Sequence, residues 1–315
     1  MTKRILITGS LGHIGSKLIH SLTGSDYSQV TMIDNLSTQR FSSLFNLPSD
    51  VNFHYHQEDI LDADLNKLFK DIDVVIHLAA LTDAATSFER ADEVEAVNYQ
   101  GTLKVISACE ANKCKLLFPS TTSVYGSQKK EVDENCSKED LLPQSPYAET
   151  KLMSEQKIIE AVINNRLKAV ILRLGTIFGS SKGMRFHTAV NKFCWQATLG
   201  ESLSVWSTAL DQKSPYLGLN DAVNVIKFFI EKNIFNGEIF NVVTSNCTVK
   251  EVVSCIQKYI KEVKIDFVDT EIMNQLSYEV SSKKVESLGY KFSDDLEEGI
   301  KETIHLLGAI KNSEI

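Results

Sequence analysis

The sequence predicts an α/β fold: a doubly wound parallel sheet with a smaller C-terminal α/β lobe. Three observations carry that reading. A short apolar strand segment at the N-terminus runs directly into three glycines and a helix. Apolar strand segments then alternate with helical ones as far as Leu174. Beyond residue 175 the alternation breaks into a stretch of glycines, basic residues and aromatics without a clean period.

Ile5-Leu6-Ile7 has the continuous apolar character of a strand buried on both faces. Gly9, Gly12 and Gly15 follow at three-residue intervals. One glycine permits the tight turn, one lets a pyrophosphate approach bare backbone, and one lets helix pack closely on strand. Leu11, His13 and Ile14 complete the loop, and Ser16 to Leu22 reads as the start of the helix, whose free N–H groups and positive dipole end favour phosphate. A second strand, Thr31-Met32-Ile33, ends in Asp34, placed to accept hydrogen bonds from an adenosine ribose. Its charge repels a 2′-phosphate, so NAD is expected rather than NADP. Arg40, six residues on, works against that preference.

The 315 residues suffice for one large α/β unit or two lobes. With 33 basic and 41 acidic residues the net charge is −8, which argues against a nucleic-acid surface. The six cysteines form no Cys-x-x-Cys and read as reduced thiols of a cytoplasmic protein. A core strand beginning at residue 5 leaves no room for a signal peptide, and no apolar run approaches the about 18 residues that span a membrane. His54 and His56 share a strand face but lack a third ligand, so no metal is expected.

Further strands are expected at Val51–His56, Asp73–Ala80 and Lys168–Leu174, and over Leu116–Gly126 as a strand that opens into a hydroxyl-rich loop, with long helices at Glu93–Lys113 and Tyr147–Asn164. The small residues Leu78-Ala79-Ala80 leave ligand space at a strand's C-terminal end. His77 reads as a packed histidine beneath the cofactor. The domain reading is 1–175 for the Rossmann-type dinucleotide-binding unit and 176–315 for a mainly substrate-binding lobe. Residues 215–245 are expected to return to the large sheet.

Tyr147 and Lys151 lie four apart at a helix start, hence on one face. A tyrosine titrating near 10 is a poor base at neutral pH. A positive charge at ~4 Å is worth about 4 kcal/mol at an effective dielectric of ~20, or roughly three pKa units at most. Tyr125 and Lys129 repeat the spacing, but Gly126 follows that tyrosine at once, whereas Pro146 before Tyr147 suits a helix start. The second copy is therefore preferred. Ser120-Thr121-Thr122-Ser123 supplies hydroxyl groups near it.

These segments together resemble the extended short-chain dehydrogenase/reductase family, in its nucleotide-sugar epimerase/dehydratase branch. The likeness covers Thr8 to Gly15, Asp34-Asn35-Leu36-Ser37, His77 to Ala80, Asn98 to Gly101, Ser120 to Gly126 and Tyr147 to Lys151. It continues through Ser282-Lys283-Lys284, Leu288-Gly289-Tyr290 and Leu296 to Ile300. The resemblance implies NAD held also by Asn35, Ser37, Asp59, Ile60 and Asn98, and Thr121 as the catalytic hydroxyl beside Tyr147 and Lys151. It implies a substrate side that includes Thr82, Thr122, Ser123 and Thr176.

The departures are informative. Dehydratases of this branch place Asp-Glu after the hydroxyl residue, where this chain has Thr122 and Ser123. The asparagine that epimerases carry after the sixth strand is missing from Arg173-Leu-Gly-Thr176, and Ser214 stands where an arginine for the diphosphate is expected. That role is expected to pass to Arg185 with Lys213 in support, from a basic group that includes Lys182 and Lys192. The expected activity is NAD-dependent epimerisation of a nucleotide sugar, with C4 favoured. A 4-keto-sugar reductase and a non-catalytic dinucleotide sensor are the alternatives. A homodimer is expected through the two long helices, on the strength of Val105, Ile106, Leu152, Met153 and Ile159.

Overall fold

Strand segments too apolar to face water on either side force the first half of the chain into a covered parallel sheet. The computed structural model describes residues 2–126, 130–206, 210–268 and 277–308, so Lys129 lies outside the described residues. The first half runs β1 (Lys3–Thr8), α1 (His13–His20), β2 (Tyr27–Ile33), β3 (Phe53–His56), α2 (Leu65–Leu68) and β4 (Val74–His77). It continues with α3 (Ala91–Val94), a π-helical stretch (Glu95–Gln100), α4 (Gly101–Asn112), β5 (Lys115–Thr121), β6 (Glu131–Val132), α5 (Pro146–Ile163) and β7 (Lys168–Leu174). The second half holds β8 (Thr176–Phe178), α6 (Ala189–Thr198), β9 (Leu203–Trp206), β10 (Lys213–Gly218), α7 (Leu219–Lys232) and β11 (Ile239–Val242). It closes with β12 (Ser245–Thr248), α8 (Val249–Tyr259), β13 (Ile265–Val268), β14 (Glu279–Val280), α9 (Lys283–Ser287) and α10 (Leu296–Leu307).

The large sheet has seven parallel strands in the order β11-β7-β5-β4-β1-β2-β3. Strand order reverses at β1, whose two neighbours are β2 and β4, and there a crevice opens beyond the strands' C-terminal ends. One sheet face packs on α1 and α7 through Ile5, Ile7, Leu18, Val223 and Ile226. The other packs on α4 and α5 through Leu6, Val75, Val105, Cys109 and Ile158. Phe178, Phe193, Leu203, Val252 and Ile300 form a separate core for the lobe.

α5 starts where Pro146 and Ser145 direct it. Proline sits at the first helical position, and the Ser145 hydroxyl accepts from Ala148 N at 3.2 Å. That start places Tyr147 and Lys151 at the crevice.

Three expectations need correction. The helix over 93–113 is continuous but not uniform, because residues 95–100 are wound as a π-helix. The return to the large sheet begins with α7, not at 215. β10 belongs to a three-stranded sheet with β8 and β12, while β11 joins β7. Val105 and Ile106 are buried against the sheet, so of the five residues named for a dimer only Met153 is exposed in the chain.

Candidate active site

The glycine loop is held by close backbone contacts. Gly9 has a left-handed φ of +65°, and a Cβ there would lie 2.6 Å from Ala79 N. Gly9 N donates to the Ile33 carbonyl at 2.8 Å, which ties the loop to the end of β2. Asp34 accepts from Leu11 N at 3.0 Å through one oxygen and from Leu36 N at 2.9 Å through the other. Each oxygen keeps further acceptor capacity for a ribose hydroxyl. Beyond Asp34, Asn35 donates to Asp59 at 2.7 Å and itself accepts from Ser37 N, while Ile60 is buried.

These groups fit a dinucleotide. α1 opens at His13 with no acidic residue in its first turn and no capping side chain, so its positive end faces the cleft. The Arg40 guanidinium stands near Gly12 and lines the same cleft. The Ser181 hydroxyl donates to the His13 carbonyl at 3.0 Å, so the His13 Nδ1–H donates back to Ser181 at 3.0 Å. That arrangement leaves the buried Nε2 a bare acceptor without a partner. Burial and the nearby Arg185 and Arg40 charges push the His13 pKa down to about 3, so the ring stays neutral.

The reactive groups lie where α5 meets the end of β5. The Tyr147 phenol stands beside the Thr121 hydroxyl, and both line a cleft of about 450 Å³ with Lys151. Lys151 is buried; its Nζ donates to the Pro119 carbonyl at 2.8 Å and lies 4.5 Å from the Phe118 ring centroid. Burial pushes its pKa down to about 8, opposed by Glu155. Burial raises the Tyr147 phenol, and the charge that pulls it back belongs to Arg185, with help from the neighbouring Thr121 hydroxyl. The sequence pointed to Lys151, with the nicotinamide's charge, for that task. Tyr125, the rejected alternative, is a buried structural residue. Its hydroxyl donates to Asn241 Oδ1 at 2.8 Å and its ring lies under Arg173.

His77 is packed as expected: Thr8 Oγ1 lies 2.7 Å from Nδ1 and Thr102 Oγ1 3.1 Å from Nε2. Burial holds its pKa down to about 3. Leu78 and Ala80 line the cleft beside it. Asn98 does not. Its amide forms two bonds with the Leu81 backbone, 2.8 Å from Leu81 N and 2.9 Å to Leu81 O, and so shapes the loop after β4.

The opposite wall comes from the segment between β8 and α6. A Cβ on Gly183 would lie 2.7 Å from the Gly12 carbonyl, so this strap can seat on the glycine loop only with glycine there. Gly183 N donates to Ser16 Oγ at 3.0 Å, and Ser42 Oγ to the Lys182 carbonyl at 2.9 Å. The strap carries Arg185 to Thr82, where Nη1 bonds the threonine hydroxyl while the buried Nε has no partner among the described residues. Thr176, Ser123, His187, Lys192, Ser214 and Tyr216 line the rest. Burial and Arg185 push the His187 pKa down to about 4.

Three expected substrate residues lie elsewhere. Lys213 pairs with Glu279 at 2.6 Å on a half-exposed surface, because its neighbour Ser214 takes the cleft-facing side of β10. Thr122 is buried, its hydroxyl 3.4 Å from the Leu174 carbonyl. Lys182 Nζ bonds the Phe45 carbonyl. His187 and Asp83 are cleft residues that carry no sequence motif; the path of the strap brings in the first and the loop after β4 the second.

Residues 5–242 match the model of the NAD dependent epimerase/dehydratase family. The chain belongs to that family. It is 31% identical over 96% of its length to the dTDP-D-glucose 4,6-dehydratase of Bos taurus, covering 88% of that protein. It is 28% identical to an uncharacterised UDP-glucose epimerase of Bacillus subtilis (strain 168), over 99% of this chain and all of the other. Among solved structures, UDP-glucuronic acid 4-epimerase from Bacillus cereus, in complex with UDP-glucuronic acid and NAD, superposes with a TM-score of 0.86. That pair shares 28% identity over 97% of this chain and 99% of the other. As an epimerase/dehydratase family enzyme this chain uses NAD, and the groups of its glycine loop suit that cofactor.

Proposed function

We propose that this enzyme is a nucleotide-sugar 4-epimerase. The observation that carries the reading is a single cleft lined by Tyr147, Thr121, Lys151 and Arg185, with no Asp-Glu pair after Thr121. Bound NAD supplies the hydride chemistry, accepting hydride from the sugar carbon and returning it. Tyr147 takes the proton from the sugar hydroxyl through its phenolic oxygen and gives it back at the end. Arg185 favours the phenolate against the burial that raises it, and Lys151, one turn along the same helix face, acts in the same sense. Thr121 orients the sugar oxygen. Arg185, whose Nε has no partner among the described residues, takes part of the substrate's negative charge.

A 4,6-dehydratase needs a second acid and base, and the two positions offered for them suit neither task. Ser123 reaches the cleft with a hydroxyl only, and Thr122 is turned into the protein. Incubating the purified protein with nucleotide hexoses and uronic acids, with NMR of the products, tests the reading. Interconversion of C4 epimers without added reductant supports it. A 4-keto-6-deoxy product, or turnover only with NAD(P)H, would replace it. A homodimer through α5 would cover Met153 and Ile163, both exposed in the chain; light scattering at micromolar concentration checks it.

A further inference from the structure

We propose that Glu155 is a positioning residue of this active site: it locks the end of β5 and gives Lys151 the counter-charge that keeps it protonated. The inference rests on the reading of Tyr147 as the base. Tyr147, Lys151 and Glu155 recur every four residues on α5 and therefore share one face. That face runs along three successive residues of β5: Lys151 donates to the Pro119 carbonyl, Glu155 accepts from Ser120 Oγ at 2.5 Å, and Tyr147 lines the cleft with Thr121.

Glu155 is fully buried and its carboxylate is saturated. Besides Ser120 it takes the Arg173 fork, with Nη2 at 2.6 Å and Nε at 3.0 Å. Arg173 is the register partner of Ser120 on the neighbouring strand β7, so one carboxylate ties together α5, β5 and β7. Such a pair is weak evidence for stability, since two buried charges cost much of what their attraction returns. The position of this pair suggests another task. A carbonyl oxygen and a ring face, the other partners of Lys151, attract an ammonium but do not neutralise it. Among the described residues, the titratable groups arrayed around Lys151 are Tyr147 and Glu155 on its own helix and neutral His77 on β4. Arg173 lies on the far side of Glu155. Glu155 is the one carboxylate in that set, and Arg173 competes for it.

This arrangement makes opposite demands on the two partners. Glu155→Gln keeps the shape and removes the charge, so Lys151 sheds its proton at lower pH and stops favouring the Tyr147 phenolate. Arg173→Met leaves the carboxylate to Lys151 alone, with the reverse effect. The test uses the NAD-loaded protein and reads Tyr147 ionisation directly, as the ultraviolet difference titration between each variant and the same variant carrying Tyr147→Phe. The Tyr147 titration should move up by about one pH unit in Glu155→Gln and down in Arg173→Met. The double variant Glu155→Gln/Arg173→Met removes both members of the buried ion pair, so it should fold more like the parent than either single variant does and titrate like Glu155→Gln. Ser120→Ala should lower turnover without moving the titration. Shifts in the same direction for Glu155→Gln and Arg173→Met, or an unmoved titration in the double variant, would show a scaffold role only. Titrations that move as expected in a protein that turns over no nucleotide sugar would uphold this assignment and overturn the proposed function.

Discussion

On the sheet side of the cleft, Asp34, Asn98, Lys151 and Glu155 spend their side chains on backbone groups or buried partners within the fold. On the lobe side, Arg185 has one neutral hydroxyl partner and an unpartnered Nε, and Ser214 stands where a cation was expected. Apart from His13 Nε2 at the glycine loop, the first wall is satisfied by the protein itself; the second keeps a buried cation whose Nε a ligand must satisfy. Pre-organisation for the reaction and selection of the substrate are thus divided between two parts of the chain.

Substitutions on each side should fail in different ways. The largest effect belongs to Tyr147→Phe, which removes the ionisable oxygen and should lower turnover by about 10²–10⁴-fold while NAD binding by calorimetry stays intact. Near-normal turnover in that variant would dissolve the catalytic side of the contrast. Gly9→Ala comes next. Its methyl would meet the Ala79 backbone from a left-handed φ, which should cost about 3 kcal/mol in a denaturant melt and release the cofactor. A stable, NAD-replete Gly9→Ala protein would mean that the loop yields, against the geometry described.

Arg185→Ala tests the other wall. Substrate KM should rise about tenfold, the value of a charge-assisted contact, with NAD affinity unchanged. Because the Arg185 charge lowers the Tyr147 phenol, its loss should also move the acidic limb of the pH profile to higher pH. A limb that moves down or stays fixed would assign the phenol's partner to Lys151 alone. The smallest effect is expected from Lys213→Ala. Its exposed pair with Glu279 lies away from the cleft, so KM should stay within about twofold. A tenfold rise there would restore the sequence expectation.

What the sequence discloses follows the same division. The glycine loop, Asp34, Tyr147 and Lys151 are legible because each depends on local spacing: a turn, a strand end, one turn of helix. The lobe wall depends on which side of a strand or strap faces inward. Lys213 and Ser214 are adjacent, and strand alternation gives the cleft to the serine. Arg185 reaches Thr82 because Gly183 lets the strap lie on the glycine loop, a contact between segments that share no sequence pattern. Glu155 has a visible spacing, four residues past Lys151. Its meaning emerges only when Ser120 and Arg173 are seen in register on neighbouring strands.

The π-helical stretch Glu95–Gln100 bears on how this chain tolerates change in length. A π-turn holds more residues than an α-turn, so the stretch absorbs one residue more than a regular helix would fit between the same two flanking segments. Asn98, inside the stretch, grips Leu81, while Val105 and Cys109 beyond it face the sheet core. Removing one residue other than Asn98 from 95–100 would let a regular α-helix run through with those two sets of side chains in nearly the same phase. A deletion in the regular turns of α4 would instead rotate the residues on its two sides against each other by about 100°. The helix can therefore lose a residue in the wide turn and keep both grips, whereas elsewhere the count of residues is fixed by the faces it must present.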